Sequence, residues 1–153
     1  MATRSAIGIQ KADGSIQGVY CHWDGYPEHN GQILASHYDR EKLLQLIALG
    51  NLSTLSKEIG HEQDFDKRST QKDDWCLFYG RDRGESDVGY REYNDFAEYV
   101  DAGEEYMYFF NGTDWIVNDH GELDDNGFPI FEYVEMKINP KDLEEMGWEA
   151  EEK

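Results

Sequence analysis

Between Thr3 and Lys11 the chain alternates, with Ala6 and Gly8 on one side and Ile7 and Ile9 on the other. A period of two predicts a strand. Ala12-Asp13-Gly14-Ser15 follows, and Asp-Gly between apolar runs predicts a hairpin with Ile16 to Trp23 as the return strand. Asp24-Gly25-Tyr26-Pro27 then reads as a corner. Gly25 is free to take positive φ there, and Pro27 biases Tyr26 toward extended backbone. Trp23 or Tyr26 is expected to be buried under this corner, with His22 or Asp24 bonded to the turn backbone.

The period changes after Asn30. Gln32 to Tyr38 predicts a short helix. Asp39 predicts the cap of a second helix over Arg40 to Leu49, with Leu43, Leu44, Leu46 and Ile47 as its apolar face and Gly50 as its stop. His61 to Asp74 is polar and predicts a long loop. Trp75 to Tyr79 returns as a strand, and Gly80 to Gly89 is a second polar loop. Asn94 is expected to cap a helix over Asp95 to Ala102, with Phe96, Tyr99 and Val100 facing inward and Gly103 ending it. Glu105 to Phe110, the Asn111-Gly112 turn and Trp115 to Val117 predict a second hairpin. Phe128 to Ile138, behind the Asp124-Asp125-Asn126-Gly127 turn, predicts a further strand. Pro140 suits the first position of a last helix ending near Met146. The expected fold is α+β: a mostly antiparallel sheet of five or six strands with three or four short helices. It forms one domain over residues 1–148, and 149–153 is an acidic tail expected to fray.

Charge changes this picture more than any motif. Of 153 residues, 33 are Asp or Glu and 14 are Lys or Arg, a formal charge of −19. Such a chain does not bind nucleic acid by neutralising phosphates, and anionic membrane surfaces repel it. No run approaches the roughly eighteen apolar residues of a membrane span, and the first residues lack the apolar core of a secretory signal. Low hydropathy with high net charge points to disorder. Against it stand seven Phe, ten Tyr and four Trp, each able to bury roughly 150–250 Å². The expectation is a folded, soluble, cytoplasmic protein. Cys21 and Cys76 both fall in predicted strands and read as buried structural thiols.

The charge is also asymmetric. Residues 1–76 hold 11 acids and 8 bases, whereas residues 77–153 hold 22 acids and 6 bases. From Glu92 to Met136 there are 13 acids and no Lys or Arg. Solubility needs a net charge of only about 2–8 with both signs mixed, and self-repulsion on this scale works against folding.

Motifs for chemistry are weak. His61-Glu62-Gln63-Asp64-Phe65 starts like a zinc-protease motif, but Phe65 stands where the second histidine belongs. Glu122 to Tyr133 resembles a calcium loop at Asp124, Asn126 and Gly127, yet begins with Glu122 and ends with Tyr133. Gly80-Arg81-Asp82-Arg83-Gly84 lacks the Lys-Ser/Thr of a phosphate-binding loop. Arg81, Arg83 and Arg91 are expected to neutralise nearby carboxylates. The densest segment is Tyr20-Cys21-His22-Trp23-Asp24-Gly25-Tyr26-Pro27-Glu28-His29. His22, Asp24 and His29 could form a metal or acid–base centre there, although a structural strand end is the simpler account. No cofactor or metal is expected.

Tyr20 to Glu28, followed by Gly31, Leu34 and Tyr38, resembles a group of small phage and prophage proteins sharing a His-Trp-Asp-Gly-Tyr-Pro signature. They carry a similar preceding hairpin, here Arg4-Ser5-Ala6-Ile7 and then Asp13-Gly14. The resemblance covers the first third of the chain and brings no catalytic residue with it. It implies a mobile element acting inside a bacterial cell.

These features lead to a functional expectation. The chain reads as a non-enzymatic, phage-type anti-defence inhibitor: an acidic DNA mimic occupying the nucleic-acid-binding site of a host restriction or CRISPR protein. Duplex DNA carries one charge per about 1.7 Å of axis, and its binders present matching bases. The candidate partner-binding residues are Asp95, Glu98, Asp101, Glu104, Glu105, Asp119, Glu122, Asp124 and Asp125. Asp95, Glu98 and Asp101 are expected to share one helix side, about 4.5 Å apart along the axis, and the acids from Glu92 to Met136 to form one continuous negative face. Two alternatives stay open. One is a protein-interaction module that is not a mimic, and the other a small hydrolase or nucleotide-sequestering protein using His22, Asp24 and His29.

Overall fold

The computed structural model describes residues 2–134. Its elements run β1 (Ser5–Gln10), β2 (Ile16–Cys21), a π-turn (Pro27–Gly31), α1 (Gln32–His37), α2 (Arg40–Leu49), β3 (Leu52–Thr54), a 3₁₀ turn (Arg68–Thr70) and β4 (Leu77–Phe78). Then come α3 (Tyr79–Arg83), β5 (Arg91–Tyr93), α4 (Phe96–Asp101), β6 (Tyr106–Phe110), β7 (Trp115–Asp119) and β8 (Glu132–Tyr133). The strand expected to continue to Ile138, the helix from Pro140 to Met146 and the tail lie outside the described residues.

The first hairpin forms as its turn chemistry dictates. Ile7 faces Val19 and Gly8 faces Gly18 across β1 and β2. Gly14 takes φ 89°, its N–H donates to the Lys11 carbonyl at 2.9 Å, and the Asp13 carboxylate accepts from the Ser15 N–H and hydroxyl. The second hairpin joins β6 to β7, with Phe110 opposite Trp115. Gly112 takes φ 100°, while the Asn111 side chain accepts from the Thr113 and Asp114 N–H groups.

Among the described residues these hairpins sit in one mixed sheet of eight strands, ordered β4-β3-β2-β1-β6-β7-β8, with β5 also on β2. The sheet is mostly antiparallel as expected, in five of its seven pairings among the described residues, but it has more strands than the expected five or six and is mixed. β6 runs parallel to β1, and β3 parallel to β2. No local turn dictates such pairings; they follow from which faces must be buried. β3 and β5 have three residues each, too few for a period to show. The run Trp75 to Tyr79 shortens to β4, and the expected loop from Gly80 contains most of α3, closed by Gly84 at φ 78°.

Alternation sorts the sheet into two apolar faces. Ile7, Ile9, Val19, Cys21, Tyr108 and Val117 pack with Leu34, Tyr38, Leu43, Leu46 and Ile47 of the α1–α2 side. Ala6, Ile16, Met107, Phe109 and Ile116 pack with Tyr99 and Val100 of α4. Each large buried side chain contributes about 1.5–3 kcal/mol. Helix α2 has the expected ends: Asp39 accepts from the Lys42 N–H at 2.9 Å, and Gly50 follows at φ 88°. Leu44 is exposed, because it falls off the stripe that Leu43, Leu46 and Ile47 share. Cys21 and Cys76 are both buried free thiols, and burial pushes the Cys21 thiol up to about 12.

The Asp24–Pro27 corner differs from expectation. Asp24 takes the positive φ, at 57°, a conformation that Asp tolerates better than most residues. Gly25 is needed for another reason: a Cβ there would lie 2.7 Å from the Ser5 Cβ. Trp23 and Tyr26 are exposed rather than buried. The residues buried at the corner are Asn30 and Tyr108, because the backbone polar groups folded inward there need partners.

Candidate functional site

The nine candidate acidic residues occupy three places. Around α4, Asp95 is the N-cap rather than a helical residue, and its carboxylate accepts from the Glu98 N–H at 2.9 Å. Asn94, expected as the cap, instead donates from its amide to Glu98 at 2.9 Å. Glu98 and Asp101 are exposed on the helix, with Tyr99 and Val100 turned into the core. Asp95 is therefore partly committed to holding the helix.

The second group lies at the end of the sheet where β6 begins and β7 ends. Tyr106 pairs with Asp119 and with Ser5, and the His120 N–H donates to the Glu105 carbonyl at 2.6 Å. Glu104 and Glu105 are half-buried and Asp119 is exposed. Burial raises the Glu104 carboxyl, with Glu105 adding to the effect and Arg4 opposing it. The Asp119 carboxylate contacts the His120 ring, and that hydrogen bond raises the imidazole above its ordinary value.

The third group is the excursion from β7 to β8. Glu122, Asp124 and Asp125 are exposed here. Asp124 shapes the turn, its carboxylate accepting from the Asn126 and Phe128 N–H groups at 2.9 and 3.0 Å. Leu123 and Pro129 form an antiparallel bridge. At the base sits Asn118, fully buried. Its amide donates to the Glu122 and Ile130 carbonyls at 3.1 and 2.6 Å, and its oxygen accepts from the Gly121 N–H at 3.0 Å. Asn118 was not among the sequence candidates. An Asn directly after the run Trp115-Ile116-Val117 was the available signal, since buried polar groups are hydrogen-bonded.

Among the described residues these acids do not form the single face expected. Asp114 sits in the β6–β7 loop, at the opposite end of those strands from Glu105 and Asp119. Charge pairing is nonetheless sparse. Among the described residues, the Lys and Arg contacts to carboxylates within 4 Å are Lys11–Glu92, Arg81–Asp82 and Arg83–Glu85. From Asp95 to Glu132 no carboxylate has one. Arg81 and Arg83 thus neutralise neighbours as expected, whereas Arg91 has no carboxylate at that distance among the described residues.

His22 and His29 each have a partner of their own. The His22 ring bonds the Tyr20 hydroxyl at 2.6 Å, and the His29 ring bonds the Asn30 amide oxygen at 2.9 Å. Among the described residues no three His, Cys, Asp or Glu side chains are grouped to hold a metal. Asn30 supports the segment, its amide donating to the Trp23 carbonyl at 3.2 Å, while the Gly25 carbonyl accepts from Tyr108 and the Gly25 N–H donates to Thr3. Beyond it Trp23, Phe65, Arg68, Lys72 and Trp75 line an open cleft of about 610 Å³. Lys72 lies over the Trp75 ring at 5.2 Å.

Among the described residues no helix is long and apolar enough to cross a membrane. No protein-family model, curated protein or solved structure matches the chain.

Proposed function

We propose that this chain is an anti-defence inhibitor whose carboxylates take the place of DNA phosphates in the nucleic-acid-binding site of a basic host protein. The observation that carries this reading is the acidity from Asp95 to Glu132: among the described residues no Lys or Arg lies within 4 Å of a carboxylate there, and the ionic partner present is His120, on Asp119. Unpaired carboxylates on a folded surface attract Lys and Arg arrays and raise the association rate. The phage setting rests on the resemblance around His22 to Pro27.

The test is a competition assay with purified restriction enzymes and CRISPR effectors on labelled duplex DNA. The protein is expected to displace the DNA, and a Glu98→Lys, Asp101→Lys, Asp125→Lys variant to lose this effect. Unchanged displacement by that variant overturns the reading.

A second reading, a protein-interaction module that is not a mimic, is favoured by the exposed Leu123, Phe128, Ile130, Phe131 and Tyr133. Binding to a partner without displacement of DNA would select it. The acid–base alternative gains nothing from the arrangement of His22, Asp24 and His29.

A further inference from the structure

The β7–β8 excursion exposes five large apolar side chains within the eleven residues from Leu123 to Tyr133. Phe128 is 65% exposed, Tyr133 63% and Leu123 56%, with Phe131 and Ile130 also open to solvent. Glu122, Asp124, Asp125 and Glu132 are interleaved with them and are likewise exposed. Grouped exposed apolar residues mark interaction surfaces, and a few aromatic anchors usually carry most of an interface's energy. The segment is also preformed. Asn118 ties its base, Asp124 holds its turn, and β8 pairs with β7. A preformed element loses less entropy on docking.

We infer that this excursion is a docking element for a basic protein surface bearing an apolar pocket, with Phe128 and Ile130, which flank Pro129 on the face opposite Leu123, as anchors and the carboxylates pairing with Lys and Arg around the pocket. The inference rests on the proposed acidic-surface function and adds that charge alone does not hold the complex. Charge complementarity selects this occupant: a second copy seated face to face would set four carboxylates against four.

The test uses the full chain and two synthetic peptides of about 18 residues, five helical turns. One carries Leu and Lys at helical spacing, and the other replaces each Leu by Ser at equal charge. At about 0.15 M salt, where long-range attraction between exposed charges is screened, the wild type is expected to bind the Leu peptide at least about tenfold more tightly. Phe128→Ser with Ile130→Ser removes that preference and leaves the Ser-peptide affinity unchanged. Phe128→Gln alone, at a mostly exposed position, gives a partial loss and guards against misfolding of the double variant. Equal affinity for both peptides, or a preference that survives the double substitution, overturns the inference. So does a salt-stabilised wild-type dimer abolished by the same two changes. A retained preference without DNA displacement rejects only the DNA-site reading. DNA displacement insensitive to Phe128→Ser and Ile130→Ser rejects only the docking element.

Discussion

The Tyr99 hydroxyl donates to the carbonyl oxygen of Tyr108 at 2.5 Å, linking α4 on one face of the sheet to the backbone of β6. Tyr108 points to the other face and donates its own hydroxyl to the Gly25 carbonyl at 2.6 Å. Two tyrosines thus connect the acidic helix to the Asp24–Pro27 corner through the sheet. Space for the first comes from glycine, since a Cβ at Gly18 would lie 2.8 Å from the Tyr99 ring. Gly18→Ala is expected to cost about 1–3 kcal/mol by overpacking, and Tyr108→Phe about 1–2 kcal/mol by orphaning the Gly25 carbonyl. Urea denaturation of both variants measures this.

Asn118→Leu deletes every side-chain hydrogen bond at the base of the acidic excursion. The expected loss is about 1–3 kcal/mol, because the Glu122 and Ile130 carbonyls lose their amide donor. Hydrogen exchange is expected to accelerate at Ile130, whose N–H donates to Glu122 at 2.9 Å, with α2 unaffected. Unaltered exchange at Ile130 would remove Asn118 from this role.

The Asp82 carboxylate is fully buried beside Arg81, at 2.9 Å. It also accepts from the Gln63 and Phe78 N–H groups at 2.8 and 2.7 Å, pinning the long loop to β4. Arg81→Ala strands that buried charge and is expected to cost about 3–5 kcal/mol. Removing the exposed Arg83–Glu85 pair is expected to cost under about 1 kcal/mol. Thermal unfolding of the two variants separates the cases.

Charge reversal around α4 is expected to divide by position. Asp95→Lys removes the cap and is expected to cost about 1 kcal/mol. Asp101→Lys, in the last turn, favours the helix dipole and relieves repulsion, so stability holds or rises. Circular dichroism melts distinguish the two. Only the Asp101→Lys variant cleanly reports on binding.

The contribution of Glu104 to stability is expected to fall as pH rises through the carboxylate range and beyond. Glu104 has a raised folded-state pKa, so the native state holds its proton longer than the unfolded chain, and stability drops as pH climbs past the unfolded value. Glu104→Gln is expected to raise the melting temperature at pH 7 and to have no effect at pH 3. His120 also has a raised folded pKa. Its contribution is complete below the unfolded value near 6.5 and disappears as pH rises through the higher folded value. A proton NMR titration of His120 is expected to shift downward in Asp119→Asn.

The elements legible in the sequence were those with local causes. The Asp13-Gly14 and Asn111-Gly112 hairpins, the Asp39 cap and Gly50 stop of α2, and the polar run from His61 to Asp74 each depend on residues a few positions apart. The burial of Cys21 and Cys76 followed from their apolar strand contexts. Other features depended on partners far along the chain. β1 finds β6 about a hundred residues on, and β3 and β5 exist as strands only because β2 offers them an edge. That Gly25 serves close packing against Ser5 while Asp24 takes the positive φ is likewise a matter of tertiary contact. Asp95 as the cap in place of Asn94 was decided by where α4 meets the sheet. The charge of −19 belongs to the sequence. Its division among α4, the β6–β7 end and the excursion pinned by Asn118 comes from the tertiary structure, because burying the apolar faces of the sheet leaves those acids only the surface positions that remain.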